Sequence, residues 1–99
     1  MNPTYLGVME ILHDPGGRRF HFSLPDGNGE LTYEESDPGV VELDHTWVDP
    51  QIRGRGYGDQ LAQAALAWAR VQGKRVVPLC PFVRHYIDRH PAEKELLRH

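Results

Sequence analysis

The hydrophobic period of the chain first changes at Gln51–Gly58, and that change limits what it can fold into. Before it, apolar residues alternate as they do in half-buried strands. The stretch "RRFHFSL" sets Phe20, Phe22 and Leu24 on one face, against His21 and Ser23. "ELTYEES" alternates again after the turn "PDGNG". "VVELDHTWV" places Val41, Leu43, His45 and Trp47 on one side, and Glu42, Asp44 and Thr46 on the other. A less regular run, "YLGVMEILH", comes first and stops at "DPGG", whose residues preset or relax φ. After the change, Leu61, Ala65 and Trp68, with Ala62, Leu66 and Ala69, recur at helical spacing from about Tyr57 to Gln72. Gly73 is placed to follow the last turn of that helix. "KRVVPLC" reads as a strand beneath a helix, and "PFVRHYIDRH" as a helix with Pro81 in its first turn. "AEKELLRH", beyond Pro91, reads as a short closing helix.

The predicted order is β-β-β-β-α-β-α-α, an α+β fold. Four strands joined by short turns form an antiparallel meander, and the fifth lies parallel to the fourth after a right-handed crossover. A length of 99 residues gives one domain, 1–99. Apolar content of 39% and charged content of 25% belong to an ordinary globular chain. A net charge of -3 argues against non-specific nucleic-acid binding, which needs a basic surface. No apolar run approaches membrane-spanning length, and the first residues lack a basic segment followed by an apolar one. The single cysteine can form no internal disulfide, so a reducing, cytoplasmic setting is the expectation.

Gly54, Gly56 and Gly58 fall between a strand and a helix. Glycine there permits positive φ and lets the backbone approach a ligand closely. A helix start offers unpaired N–H groups and a positive dipole end, so the arrangement suits a pyrophosphate. Arg53 and Arg55 add charge at the rim. A Walker loop would need Gly-Lys-Ser/Thr where this chain has Gly56-Tyr57-Gly58-Asp59. A dinucleotide fingerprint would need alternating βαβ units and an acidic end to the next strand, which instead closes in Pro78-Leu79-Cys80.

Gln51-Ile52-Arg53-Gly54-Arg55-Gly56 resembles the Gln/Arg-x-x-Gly-x-Gly/Ala signature of the GNAT superfamily of N-acetyltransferases. "WVDP" looks like the hydrophobic-Val-x-Pro entry to that turn. The chain is similar, in particular, to a small single-domain GNAT-like family with His-Thr before the turn and Pro-x-Cys-Pro after the helix. His45-Thr46 and Pro78-Leu79-Cys80-Pro81 match those positions, and "HPAEKELL" resembles the family's closing segment. The likeness spans roughly residues 18 to 97. It implies a compact GNAT-like fold, acetyl-CoA as co-substrate without a metal, and transfer of the acetyl group to a small amine or an exposed lysine. A non-catalytic acyl-CoA-binding module is the alternative. The implied coenzyme contacts are Thr46, Trp47, Val48, Arg53, Gly54, Arg55, Gly56, Tyr57 and Gly58, with the backbone of Thr46–Val48 holding the pantetheine.

Two residues carry the catalytic expectation. Cys80 closes the fifth strand and opens a helix; by the resemblance it lies near the coenzyme's thiol end, as a nucleophile or as packing. His45, on the fourth strand just before the glycine turn, is the general-base candidate for amine attack. Pro78 cannot donate to a ladder, which fits a place where the fourth and fifth strands part, or an edge strand. Tyr86 falls too soon after the fifth strand for the superfamily's acid tyrosine and is expected in the core or against coenzyme. The histidines show no paired metal-ligand spacing with Cys80. Glu34, Glu35 and Asp37 form an acidic patch that could draw a cationic amine or merely be solvated. The elements that usually shape a GNAT acceptor pocket are missing, so that site is expected to be open, completed by a partner, or unused.

Overall fold

The computed structural model describes residues 10–98. Residues 5–9 of the first predicted strand lie outside them. The elements are β1 (Leu12–Asp14), β2 (Arg19–Leu24), β3 (Gly27–Asp37), β4 (Val40–Val48), a 3₁₀ turn (Pro50–Ile52), α1 (Tyr57–Val71), β5 (Arg75–Pro78), α2 (Pro81–Arg89) and a second 3₁₀ segment (Pro91–Leu96). The sheet runs β1-β2-β3-β4-β5. Its first three pairings are antiparallel and β4–β5 is parallel. The closing helix expected over 92–99 is instead the 3₁₀ segment. After it, Leu97 bridges Val76, so the chain end covers the outer edge of β5.

Alternation in β2 and β3 buries Phe20, Phe22, Leu31 and Tyr33, and α1 returns Leu61, Ala62, Ala65, Leu66 and Ala69 onto them. Small residues on α1 let its backbone approach the sheet, while larger strand side chains fill the layer between. The helix ends as its sequence dictates. Gly73 takes φ +70, its N–H bonds Arg70 O, and Lys74 N–H bonds Ala69 O at 2.8 Å.

β4 departs from the expected alternation in the one place that matters for the site. Tyr33 pairs with Leu43, yet Thr32 pairs with His45, so Asp44 is an extra residue on β4. Such a bulge reverses the faces beyond it. Val41 and Leu43 are fully buried, but His45 and Trp47 then turn outward and are exposed. Thr46, opposite buried Leu31, takes the core side instead. The shared face expected for Leu43, His45 and Trp47 is thus corrected: only residues up to Leu43 follow it.

Candidate functional site

β4 and β5 pair from Val40–Arg75 to Leu43–Pro78 and go no further. The Leu43 carbonyl accepts from both the Leu79 and Cys80 N–H groups, each at 3.0 Å, which closes the ladder. Beyond it, Asp44–Val48 keeps β3 on one side and, among the described residues, has no strand on the other. Pro78 is the last paired residue. Because Arg75 and Leu79 donate toward β4 while Val76 accepts from Arg98, the Pro78 nitrogen lies on the outer edge. Its missing donor therefore costs no ladder bond, so the edge position explains this proline.

The chain after β4 turns through Asp49–Gly56 into α1. Gly54 has φ +82 and Gly56 has φ +85, with nothing within 4 Å of where a Cβ would stand. These two glycines answer a backbone requirement. Gly58 is different: a Cβ there would lie 2.6 Å from Phe82 Cζ. The third glycine makes room for a side chain of α2. Gly56 caps α1 without a side-chain acceptor, and the first intrahelical bond runs from Gln60 N–H to Gly56 O at 3.1 Å. The N–H groups of Tyr57, Gly58 and Asp59 come before that bond, as first-turn donors do.

These parts enclose one cleft of about 420 Å³. Of the predicted coenzyme contacts it is lined by Thr46, Trp47, Val48, Arg53, Gly54, Gly56, Tyr57 and Gly58. Arg53 Nε donates to Val48 O at 2.7 Å, tying the turn to the end of β4. Arg55 points elsewhere, pairing with Asp26 at 3.2 Å in the β2–β3 turn. Ile52, Asp59 and Phe82 complete the lining and were not anticipated from sequence. Nothing in the period of α2 marks Phe82 as a wall of a cleft built on α1.

Cys80 and His45 flank the end of the β4–β5 ladder from opposite faces. Cys80 is 6% exposed at the start of α2, and its Sγ lies 3.5 Å from Thr46 Oγ1 as the donor. His45 is exposed beside Thr32, whose hydroxyl donates to the Asp44 carboxylate at 2.6 Å. The two side chains do not meet. The outward face carries a row across the sheet, Leu12–His21–Glu30–Trp47, set by register. Tyr86 lies in the core, stacked on His90 at 4.0 Å, and burial raises its hydroxyl above the ordinary range. The acidic patch is neutralised locally: Glu34 by Arg18, Glu35 by Lys74 and Asp37 by Arg98. Among the described residues no group of three potential metal ligands occurs, and no helix is long and apolar enough to cross a membrane.

The chain matches known proteins along most of its length. A family model described as GCN5-related N-acetyl-transferase matches residues 19–96. Protein NATD1 of Mus musculus is 30% identical over 94 residues, which cover 93% of this chain and 86% of that one. The Homo sapiens protein of the same name is 30% identical over 101 residues, covering 94% and 89%. An uncharacterized N-acetyltransferase of Methanocaldococcus jannaschii is 42% identical over 40 residues, 40% of this chain and 18% of that protein. The solution structure of a GCN5-like protein from Staphylococcus aureus superposes with a TM-score of 0.71 at 24% identity, covering 91% and 88% of the two chains. At that identity the likeness speaks for the fold.

Proposed function

Because the chain belongs to the GCN5-related N-acetyltransferase family, we propose that it transfers the acetyl group of acetyl-CoA to an amine. The observation that carries this reading is one cleft joining two kinds of unspent backbone: the uncapped first turn of α1 and the stretch of β4 that, among the described residues, has no strand on its β5 side. The first offers N–H groups and the positive helix end to a diphosphate. The second offers strand-like pairing to an extended, amide-bearing arm such as pantetheine. Open space over Gly54 and Gly56 fits a ligand lying directly on the backbone.

In this reading the coenzyme supplies an activated thioester and the chain supplies position and proton transfer. β4 backbone N–H groups near Thr46–Val48 hold the arm and draw charge from the thioester carbonyl. The amine comes from the outward face, where His45 takes its proton as the nitrogen attacks. Cys80 sits on the inner side of β4, behind the cleft wall, with its thiol directed at the Thr46 hydroxyl. Direct transfer is favoured because the thiol is nearly sealed from solvent.

The test is calorimetric titration with acetyl-CoA, followed by an amine panel with detection of released thiol. No binding at millimolar ligand would refute the assignment. Binding without thiol release would favour a second reading, an acyl-CoA-binding module. That reading draws on one feature: among the described residues no element covers the outward face around His45 and Trp47. A mass shift on Cys80 after acetyl-CoA alone would replace direct transfer with a covalent route.

A further inference from the structure

A cleft suited to a diphosphate is lined by a carboxylate. Asp59 stands in the first turn of α1 and contributes to the cleft wall. Unpaired, it would cancel the positive helix end and repel a polyanion. It is met by Arg89, 30 residues later in the last turn of α2, with Nη2 at 3.1 Å from Oδ1 and Nη1 at 3.4 Å from Oδ2. Two parallel contacts make this the fork geometry in which a guanidinium holds a carboxylate in a fixed orientation. The guanidinium also lies 5.8 Å above the ring of Tyr86, which is itself core-packed. Asp59, acting chiefly through these hydrogen bonds, raises the Arg89 pKa further above its ordinary range. Among the described residues it is the only ion pair Asp59 makes.

The pair is largely solvent-accessible, with side-chain exposures of 53% for Arg89 and 39% for Asp59, so it contributes little to folding. Its place at the cleft rim gives it another consequence. α2 already supplies one wall through Phe82, and through Arg89 it also sets the charge of the first turn of α1. We propose that Arg89 is a positioning residue for the coenzyme: by neutralising Asp59 it leaves the first-turn N–H groups net attractive to the diphosphate. This rests on the coenzyme reading above and adds an affinity determinant from α2, outside the glycine turn. The cation acts through Asp59 and keeps its pairing when ligand is bound.

A double-mutant cycle tests the sign of this coupling, read as the Kd for acetyl-CoA by calorimetry. Arg89→Gln should weaken binding roughly tenfold, the scale of one uncompensated charge facing a polyanion across a partly solvated gap. Asp59→Asn should not weaken it. The double variant should return close to Asp59→Asn, because no carboxylate remains to be neutralised. S-acetylpantetheine, which lacks the diphosphate, should bind all four proteins alike, and the Arg89→Gln deficit should shrink as salt is raised. A double variant as weak as Arg89→Gln would make Arg89 a direct phosphate ligand and overturn the proposal. Equal losses for acetylpantetheine would show a structural effect and overturn it as well. Wild-type protein that binds no acetyl-CoA would overturn both this proposal and the coenzyme reading, whereas an unaffected Arg89→Gln would overturn this one alone.

Discussion

Gly58→Ala separates the two reasons for which glycines occur in the turn. At a helical position the added methyl lowers the entropy lost on folding, a gain of about 0.5–1 kcal/mol. Against it stands Phe82: the new Cβ would lie 2.6, 3.1 and 3.2 Å from Cζ, Cε2 and Cε1 of the ring. Carbon pairs settle near 3.5–4.0 Å, so the ring must retreat by about 1 Å. Phe82 is 39% exposed, so it can rotate toward solvent without disturbing the core. What is lost is its packing on α1, about 1–2 kcal/mol for a partly buried aromatic ring. The net change in the wild-type background runs from neutral to a destabilisation of about 1.5 kcal/mol. In a Phe82→Ala background the obstacle is gone and the same substitution should stabilise by about 0.5–1 kcal/mol. Urea unfolding of the four proteins gives the coupling directly, expected at about 1–2 kcal/mol. Gly56→Ala is the control: it meets open space but sits at φ +85, so it should cost about 1–2 kcal/mol whether or not Phe82 is present. An equal effect of Gly58→Ala in both backgrounds would refute the steric account of the third glycine.

Three further outcomes follow from the same geometry. His45→Ala should lower kcat by roughly 10²-fold or more while leaving the acetyl-CoA Kd unchanged, and an unchanged rate would remove His45 as the base. Cys80→Ala should keep turnover within about tenfold if transfer is direct, whereas a loss near the 10³–10⁴-fold range would point to a covalent intermediate. The third concerns pH. His13 stacks on Phe20 at 4.2 Å, meets Trp68 edge-on at 4.9 Å, and shares a 2.7 Å hydrogen bond with the Tyr33 hydroxyl. Burial lowers its pKa below the ordinary 6.5, against a smaller opposing pull from Asp14. The folded state therefore favours neutral imidazole, and this contribution is complete above pH 6.5. It declines as pH falls from there toward the folded value, because the unfolded chain takes up the proton first. Urea unfolding at pH 7.5 and 5.5 should show a smaller acid-induced loss in His13→Phe than in the parent protein, and equal losses would refute the assignment.

Much of the fold was legible because the relevant signals are local and periodic. Phe20, Phe22 and Leu31 declare strands by alternation, the α1 stripe declares a helix, and Gln51–Gly58 marks the boundary between them. The cleft lining was legible to the extent that it is backbone. Thr46–Val48 and the turn glycines line it, while Asp59 and Phe82 were missed because their roles depend on contacts between α1 and α2, whose meeting residues lie more than twenty positions apart in sequence. The pairing of Arg55 was illegible for a related reason: its partner, Asp26, belongs to a hairpin turn whose distance from the glycine turn no periodicity encodes.

The bulge at Asp44 is the most consequential illegible feature. A bulge inserts one residue without requiring a distinctive residue type, so alternation read through it acquires the wrong parity. Residue type does not choose the parity beyond Leu43, since His45 and Trp47 are as compatible with a place beside it as Thr46 is. Only the register, with Thr32 opposite His45 and Tyr33 opposite Leu43, decides between them. The decision has a chemical consequence. The extra residue sends Thr46 inward to Cys80 and His45 outward, placing the candidate thiol and the candidate base on opposite faces of the same strand. Any group exchanged between those faces must pass where the sheet is open, and the sheet opens at this point, because β5 stops pairing at Leu43, one residue before the bulge. In the proposed reading, the irregularity that hid the outward orientation of His45 from a reading by alternation puts the base and the thiol on different sides, so that an acceptor and a thioester approach from opposite faces.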